Sequence, residues 1–367
     1  MIGRLMPVPA SHLDHIAESF ANSAVHEFRG SSPLYEKLAM GISEDKELLS
    51  LASNALSKPV PMIFLAAIHY LLLNDPAKPL AQFYPDVTPV SSIGEDDPYP
   101  LFRDFCCGHR NKIKDIISTY HIQTNEVRRC ASLLPAFGIV AQKAKGLPLT
   151  FVEIGASAGL NLLWDNYGYD YGDGLLYGDR ASPVRLICTL RGDRRPPLSE
   201  KFPQIAARIG IDLHPIDVRD ASAVNWLRAF IWPEHSSRFY LLHRAIEIAR
   251  NNPPELRKGD VLELLPGVMK IVPPDSALCL FHTFVSNQMS PETRNALARL
   301  VADYGSKRNI WCISIDLSDE YKYPRLELLS YIDGVECYRH LANCSGHSRW
   351  LEWLEPERES NGELNRR

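Results

Sequence analysis

The sequence has few of the features that mark metal-binding, membrane-spanning or nucleic-acid-binding proteins. Its eight cysteines include no Cys-x-x-Cys pair, which argues against a zinc site and favours free thiols in a reducing compartment. The longest apolar run, residues 62–73, is too short to cross a bilayer and is interpreted as a buried helix. The net charge of −4 provides no general electrostatic footprint for nucleic acid.

The first residues also lack the continuous apolar core of a signal peptide, so we expect a cytoplasmic protein. The remaining composition is that of a globular chain, 45% hydrophobic and 23% charged, with a length typical of two domains. We expect a small-molecule substrate, no resident metal, and no nucleic-acid or membrane partner. The sequence does not indicate an oligomeric state.

The pattern of apolar residues changes once along the chain. Helical spacing through residues 1–147 predicts a helical cap or substrate domain. Strands and helices alternate through residues 148–356, which predicts an α/β domain. Residues 167–203, rich in glycine and tyrosine, are predicted to be an insertion in that domain, and residues 357–367 a polar tail.

Five short apolar runs in the second part are candidate strands: 149–154, 208–212, 256–260, 277–282 and 310–315. Amphipathic helices are predicted at 125–141, 238–251 and 291–304. Residues 335–339 and 350–354, separated by a turn at Gly346, indicate an antiparallel hairpin. The fold class is therefore α/β: a helical N-terminal cap, then a doubly wound, mostly parallel sheet that ends in an antiparallel hairpin.

A glycine-containing segment, residues 153–159, directly follows the first predicted strand and fits two motifs. The first is G-x-S-x-G, the nucleophile elbow of α/β-hydrolases, with Ser157 as nucleophile. The acid and the histidine that keep the chain order of that fold are Asp260 or Asp316 and His340 or His347. The context argues against this motif, because the preceding part is helical and no His-Gly oxyanion segment lies upstream.

The second motif is the first loop of a methyltransferase-type Rossmann fold, an acidic residue followed by spaced small residues. Its glycines let the backbone approach a cofactor, and the start of the next helix offers N–H groups. The residues expected to hold S-adenosylmethionine are Glu153, Gly155, Ala156, Ser157 and Gly159. NAD is less favoured, because its fingerprint is G-x-G-x-x-G. A strand-to-helix turn without a ligand is the plain alternative.

Acidic residues after the next two strands extend the second motif. Asp212 ends a predicted strand and is placed to bind the ribose hydroxyls, or else to cap its own loop. Asp260 is expected near adenine, or as the N-cap of the following helix. Asp212 lies 57 positions after Gly155, where about 20 are expected, so Asp179 is a rival for the ribose.

Six segments together resemble a known family: residues 28–35, 123–127, 152–163, 210–218, 231–233 and 281–284. They are similar to the bacterial family called domain of unknown function 2332, over about residues 25–354. The family implies no established reaction. It shares the class I S-adenosylmethionine-dependent methyltransferase pattern at residues 153–159, where Ser157 replaces the usual middle glycine.

Further polar residues are candidates for the acceptor side of the site. His282, at the end of the fourth strand, is the first candidate general base, and Glu126 and Tyr35 are further catalytic candidates. The candidate substrate-binding residues are Arg29, Gln123, Asn125, Asn287 and Gln288. Residues 123–126 are expected to form a lid, with Thr124 as a possible helix N-cap.

Three functions remain open at this point. The first is an S-adenosylmethionine-dependent methyltransferase acting on a small molecule. The second is a serine hydrolase that uses Ser157. The third is a Rossmann domain that binds a nucleotide-like ligand without catalysis. The methyltransferase is favoured, because the acidic residues after successive strands fit it.

Overall fold

The computed structural model describes residues 12–88, 96–199, 201–318 and 320–355. The tail predicted at 357–367 lies outside these ranges. The chain forms two compact units, one of Met1–Thr124 with Arg219–Tyr240, the other of Asn125–Val218 with Leu241–Arg367. Among the described residues, no helix has the length and apolar character needed to cross a membrane.

The helices are α1 (His12–Ser23), α2 (Pro33–Glu44), α3 (Lys46–Ala52), α4 (Val60–Asn74), α5 (Tyr99–Gly108), α6 (Arg110–Thr119), α7 (Arg129–Lys143), α8 (Ala221–Ala229), α9 (Ser236–Asn251), α10 (Val261–Ile271) and α11 (Pro291–Gly305). The strands are β1 (Leu149–Ile154), β2 (Gly168–Asp170), β3 (Leu176–Gly178), β4 (Arg185–Ile187), β5 (Thr189–Arg191), β6 (Ile205–Asp212), β7 (Glu255–Lys258), β8 (Ala277–Thr283), β9 (Ile310–Asp316), β10 (Arg325–Ile332), β11 (Val335–Cys344) and β12 (Trp350–Trp353). Short 3-10 helices occupy Pro79–Phe83, Leu160–Asn166 and Ser286–Gln288.

The first unit is helical and has its core around α4. The apolar run of residues 62–73 forms most of this helix, as predicted, and its side chains are largely buried. His69 lies in the middle of α4 with no exposed surface, and its Nε2 is 2.9 Å from Oδ2 of Asp86. The Nδ1 of the same ring is 3.1 Å from the carbonyl oxygen of Ala229, which ends α8. The hydrogen bonds of one buried histidine therefore link three segments of this unit.

The second unit is built on a nine-stranded sheet with the order β5-β12-β11-β10-β9-β8-β1-β6-β7. The five strands from β7 to β9 are parallel, and each overlaps a strand predicted from the sequence. The chain moves outward from β1 to β6 and β7, and then returns to the other side of β1 with β8 and β9. This is the doubly wound order, and the predicted fold class is confirmed.

The strands that follow β9 are antiparallel. The predicted hairpin is present as β11 and β12, whose residues pair in antiparallel register. One strand that was not predicted, β10, lies between β9 and β11. It joins β11 through Asp333 and Gly334, both with positive φ, as a tight two-residue turn requires.

Helices cover both faces of the parallel part of the sheet. On one face, α10 and α11 pack against an aliphatic layer that includes Val152 and Ile154. On the other face, Phe137 of α7 packs between Phe151 of β1 and Trp164, with ring centroids 4.8 and 4.9 Å apart. Because side chains alternate along a strand, Glu153 leaves β1 on the aromatic face.

Two helices next to the glycine segment are present but differ in detail from the prediction. The helix expected at 125–141 begins only at Arg129, so Thr124 does not cap it. The segment after the glycines is the seven-residue 3-10 helix Leu160–Asn166 in place of an α-helix. The predicted insertion contains the separate three-stranded sheet β3-β2-β4 and the edge strand β5.

Candidate functional site

The glycine segment turns sharply at the carboxyl end of β1. Gly155, Ser157 and Gly159 have φ values of 69°, 51° and 70°, in the left-handed region that favours glycine. A Cβ on Gly155 would lie 2.5 Å from Val285, and one on Gly159 would lie 2.6 Å from Pro254. Gly155 therefore allows the segment after β8 to approach the loop closely, and Gly159 does the same for the segment before β7.

The carboxyl end of β6 holds this loop in place. Oδ2 of Asp212 accepts the N–H of Ser157 at 2.7 Å, and Oδ1 accepts the N–H of His214 at 2.8 Å. The carbonyl oxygen of Ile211 accepts the N–H of Gly155 at 2.8 Å. Glu153, Ser157 and Asp212 are thus brought to one edge of the sheet, as the sequence predicts. Asp212 also has the loop-capping role that was its alternative.

The expected helix N-terminus is absent from this loop. The 3-10 helix that starts at Leu160 has fewer residues than two α-helical turns, and its first N–H is donated to Oδ1 of Asn125 at 3.0 Å. Asn125 therefore lies beside the loop, but it contacts protein backbone. Any anion-binding role assigned to a helix start here has no structural basis.

Glu153 is a buried carboxyl with one unsatisfied oxygen. Its side chain is 1% exposed, and Oε1 accepts Nδ2 of Asn161 at 3.1 Å. Oε2 has no hydrogen-bond partner among the described residues. Burial raises the pKa of Glu153 well above its ordinary value, the charge of Asp212 raises it further, and Asn161 and Arg129 oppose the shift. A protonated carboxyl is therefore favoured until a cation or another donor reaches it.

The surroundings of Glu153 include Cys130 and Asn161, which the sequence did not single out. Sγ of Cys130 lies 3.4 Å from Oδ1 of Asn161, and burial raises the pKa of this thiol well above its ordinary value. The Oγ of Ser157 is also buried and has no partner within the described ranges. Two unsatisfied polar atoms therefore lie at or next to the end of β1.

The end of β8 carries a histidine–carboxylate pair. Nδ1 of His282 is 3.2 Å from Oδ2 of Asp316, which ends the neighbouring strand β9. Both side chains are about one-fifth exposed. In the parallel register His282 is opposite Ile154, so its side chain leaves the sheet on the face opposite to Glu153. The two predicted residues share a sheet edge, but they start from different faces.

The residues directly after His282 adopt an unusual conformation. Phe284 has a φ of 58°, and its N–H is donated to Ile315 of β9 at 2.7 Å. The Arg129 guanidinium lies 4.4 Å from the Phe284 ring centroid and donates to Oγ1 of Thr283 at 3.1 Å. A left-handed residue other than glycine is costly, so these contacts hold the turn beside the site. Arg129 gave no sequence signal.

The remaining acidic and amide candidates have local partners. Asp260 accepts the N–H of Leu262 at 2.7 Å and caps α10, which was its alternative role. Asp179 is exposed in a turn after β3. Asn287 and Gln288 are exposed in the 3-10 helix after β8, and Nε2 of Gln288 donates to the carbonyl of Phe284 at 2.6 Å.

The other candidates lie in the first unit or, for Glu126, at the start of the second unit in the sequence. Arg29 forms an exposed ion pair with Glu36, 2.7 Å apart. Tyr35 is buried, its hydroxyl is 3.5 Å from Nδ1 of His69, and burial raises its pKa well above the ordinary value. Gln123 is buried at the end of this unit. Glu126, at the start of the second unit, is buried and accepts the N–H of Arg128 at 3.2 Å.

Among the described residues, no general base contacts the serine of the hydrolase motif. No histidine of the described residues hydrogen-bonds the Oγ of Ser157. His340 lies on β11, four strands from β1, which is roughly 19 Å at about 4.8 Å per strand. The positive φ at Ser157 resembles a nucleophile elbow, but the triad contacts that such a serine needs are not formed here.

Comparison with known proteins gives one match. A family model described as an uncharacterized protein conserved in bacteria, DUF2332, covers residues 17–353. No curated protein and no solved structure matches the chain.

Proposed function

Since the chain belongs to the bacterial family DUF2332, whose description names no reaction, we propose a function from the site: an S-adenosylmethionine-dependent methyltransferase acting on a small-molecule acceptor. One observation carries the proposal. Glu153, buried at the carboxyl end of the central strand, has an oxygen without a partner among the described residues, beside a loop of left-handed residues. Doubly wound sheets bind ligands at this edge, where the strand order reverses.

The residues present fit the amino-acid end of the donor. A buried carboxyl oxygen and a buried hydroxyl, on Glu153 and Ser157, suit an ammonium group, which has hydrogens to donate. A cation at this point favours the ionised form of Glu153 and offsets the cost of its burial. Bound S-adenosylmethionine supplies an electrophilic methyl group. In this proposal Asp212 contacts the ribose, Asp260 lies near adenine, and Gly155, Ala156 and Gly159 shape the loop.

On the acceptor side, the proposal gives His282 the role of general base. Oδ2 of Asp316 lies 3.2 Å from Nδ1 of His282, and in this proposal the carboxylate orients the ring so that Nε2 takes a proton from an acceptor hydroxyl or amine. Asn287 and Gln288 follow His282 closely in the sequence, and both are exposed. In this proposal they orient the acceptor. The chain otherwise aligns the acceptor with the methyl group and excludes water.

The methyltransferase is favoured over the serine hydrolase by the contacts at Ser157. A hydrolase needs a base at the serine hydroxyl, and the described residues place none within hydrogen-bond distance. A methyltransferase needs an acidic residue and a tight loop at the same place, and Glu153 and its loop satisfy both requirements. A Rossmann domain that binds the ligand without catalysis needs the same Glu153. Turnover of an acceptor separates the two hypotheses, because only the methyltransferase predicts it.

Titration calorimetry with S-adenosylmethionine and S-adenosylhomocysteine tests the proposal. We expect the wild-type chain to bind at least one of them with a micromolar dissociation constant. Glu153→Gln should weaken this binding at least tenfold, because a hydrogen bond to a charged group contributes about 1.5–3 kcal/mol. Asp303→Asn, an exposed carboxylate on α11, is the matched control and should leave binding unchanged. Absence of binding to both ligands overturns the proposal.

A further inference from the structure

A cavity separate from the proposed donor site lies within the second unit, at the amino ends of the strands. It has a volume of about 450 Å³, which is within the range of small-molecule sites. Its walls come from one face of α7, the turn before β1, and the segment before β6 that ends at Gln204. The donor site lies at the opposite, carboxyl ends of the same strands, so the two sites do not share residues.

The lining of this cavity is divided into a buried apolar part and an exposed polar part. The buried apolar side chains are Leu134, Ile139 and Trp164. The exposed polar side chains are Gln142, Ser199, Lys201 and Gln204. Because exposed lining residues lie at the opening, a ligand meets apolar surface inside the cavity and polar groups at its mouth. This division favours a ligand with one apolar end and one polar end.

The chain around the mouth carries an excess of positive charge. Lys201 is the one charged residue among the described residues that line the cavity. The two stretches that supply the polar lining residues, 142–146 and 193–204, contain five lysines and arginines and two acidic residues. None of these five cationic side chains forms an ion pair or a hydrogen bond among the described residues. The potential at the mouth therefore favours an anionic group.

The backbone that carries Lys201 is fixed by a local turn. The Oγ of Ser199 accepts the N–H of Lys201 at 3.2 Å and donates to its carbonyl oxygen at 2.9 Å. Within the described ranges, the side-chain amides of Gln142 and Gln204 have no hydrogen-bond partner. An ammonium group and two primary amides all have N–H groups to donate, which suits a carboxylate.

We propose that this cavity binds a small amphipathic carboxylate, with an apolar chain of about six to eight carbon atoms inside and the carboxylate at the mouth beside Lys201. The chain removes its apolar surface from water against Leu134 and Ile139. The single lysine is a compact point charge with freely rotating N–H groups, which matches a monoanion. The site is independent of the proposed methyl transfer.

Titration calorimetry of the full-length chain with octanoate tests this proposal. Two matched ligands separate the two ends of the molecule: 1-octanol keeps the chain without the charge, and butanoate keeps the charge on a shorter chain. We expect octanoate to bind saturably, with a dissociation constant on the order of 0.1 mM for a ligand of this size. Both matched ligands should bind at least fivefold more weakly, because each lacks one of the two interactions.

Variants locate the binding. Lys201→Gln should weaken octanoate binding at least threefold and leave 1-octanol binding unchanged, because only the charge is lost. Lys270→Gln, at an exposed lysine of α10, is the matched control and should bind octanoate as wild type does. Ala141→Phe, on the α7 face of the cavity, should fill the space and abolish binding.

Glu153→Gln, which tests the donor site, should bind octanoate with the wild-type affinity. The proposal is overturned if octanoate does not bind saturably, if 1-octanol binds as tightly as octanoate, or if Lys201→Gln and Lys270→Gln behave alike. Loss of octanoate binding in Glu153→Gln would also overturn it, because the ligand would then lie at the donor site. The exposed Lys201 keeps the test decisive if Ala141→Phe fails to fold.

Discussion

The carboxylate of Asp212 binds the backbone of Ser157, with Oδ2 accepting the N–H at 2.7 Å. This one bond fixes the left-handed residue in the middle of the glycine loop to the end of the neighbouring strand. A substitution at Asp212 therefore changes the loop itself, whatever the loop binds. Glu153 accepts a side-chain hydrogen bond from Asn161 and none from the backbone of the loop. It is therefore the better residue for a test of donor binding.

Replacing Asp212 should destabilise the fold more than an ordinary turn aspartate does. Asp212→Ala leaves the N–H groups of Ser157 and His214 without this acceptor, and we expect a loss of about 2 kcal/mol in the free energy of unfolding. Asp179→Ala is the matched control, since this exposed aspartate accepts the N–H of Ala181 in a turn, and it should cost less than about 1 kcal/mol. Urea unfolding measures the free energy of unfolding of both variants. Equal losses in the two variants would contradict the role of Asp212 in holding the glycine loop.

The central parallel strands β1 and β8 could be predicted because burial on both faces produces continuous apolar runs. β1 begins and ends at the predicted residues. β10 escaped prediction although Asp333-Gly334, a strong hairpin signal, follows it directly. The sequence predicts that a helix starts at Leu160, but a run of seven residues cannot separate a 3-10 helix from an α-helix by periodicity.

The site was predictable only where one strand supplies the chemistry. Glu153 and the glycines follow each other in the sequence, so the motif could be found. The pairing of His282 with Asp316 depends on β8 and β9 being neighbours, which no local pattern reveals. Arg129 and Phe284 are far apart in the sequence. A contact between a cation and an aromatic ring has no characteristic residue spacing, so no sequence pattern predicts this pair.

The buried Glu153 should make stability fall as pH rises. Its folded-state pKa is raised above the ordinary value of 4.5, so between these two values the folded chain binds more protons than the unfolded chain. The free energy of unfolding then decreases with pH, by at most about 1.4 kcal/mol per unit. Glu153→Gln removes this decrease. The difference in free energy of unfolding between variant and wild type should therefore grow in favour of the variant as pH rises from 5, and it should level off once the folded-state pKa is passed.

Urea unfolding at intervals of one pH unit measures this difference. All other titrating groups are common to both proteins and cancel in the comparison to first order. Glu247→Gln serves as the control, because this half-exposed carboxylate has a pKa lowered mainly by its hydrogen bond from Arg244, and the variant should gain no increasing stability over wild type in the same pH range. A flat difference for Glu153→Gln would show that Glu153 is already ionised in the folded chain at pH 5.

Asp316 should matter for the acceptor and little for the donor. It contacts His282, which leaves the sheet on the face opposite to Glu153. We therefore expect Asp316→Asn to leave the dissociation constant for S-adenosylhomocysteine within threefold of wild type, whereas Glu153→Gln weakens it at least tenfold. Calorimetry of the two variants side by side measures this separation. Equal weakening would mean that the two groups act on one ligand, and the division of roles proposed for them would be wrong.

Ser157 offers the sharpest contrast between the two motifs that the loop fits. Its φ of 51° costs a side-chain-bearing residue about 1–2 kcal/mol, so Ser157→Gly should be more stable than Ser157→Ala by about 1 kcal/mol, part of the gain being lost to the freer unfolded chain. Ser157→Gly should also bind S-adenosylhomocysteine about fivefold more weakly than wild type, because it removes the hydroxyl that the proposal places at the ammonium group, and a neutral hydrogen bond contributes about 1 kcal/mol. A hydrolase predicts something else: labelling of wild type by a fluorophosphonate that Ser157→Gly abolishes. Such labelling, with donor binding absent, would favour the hydrolase.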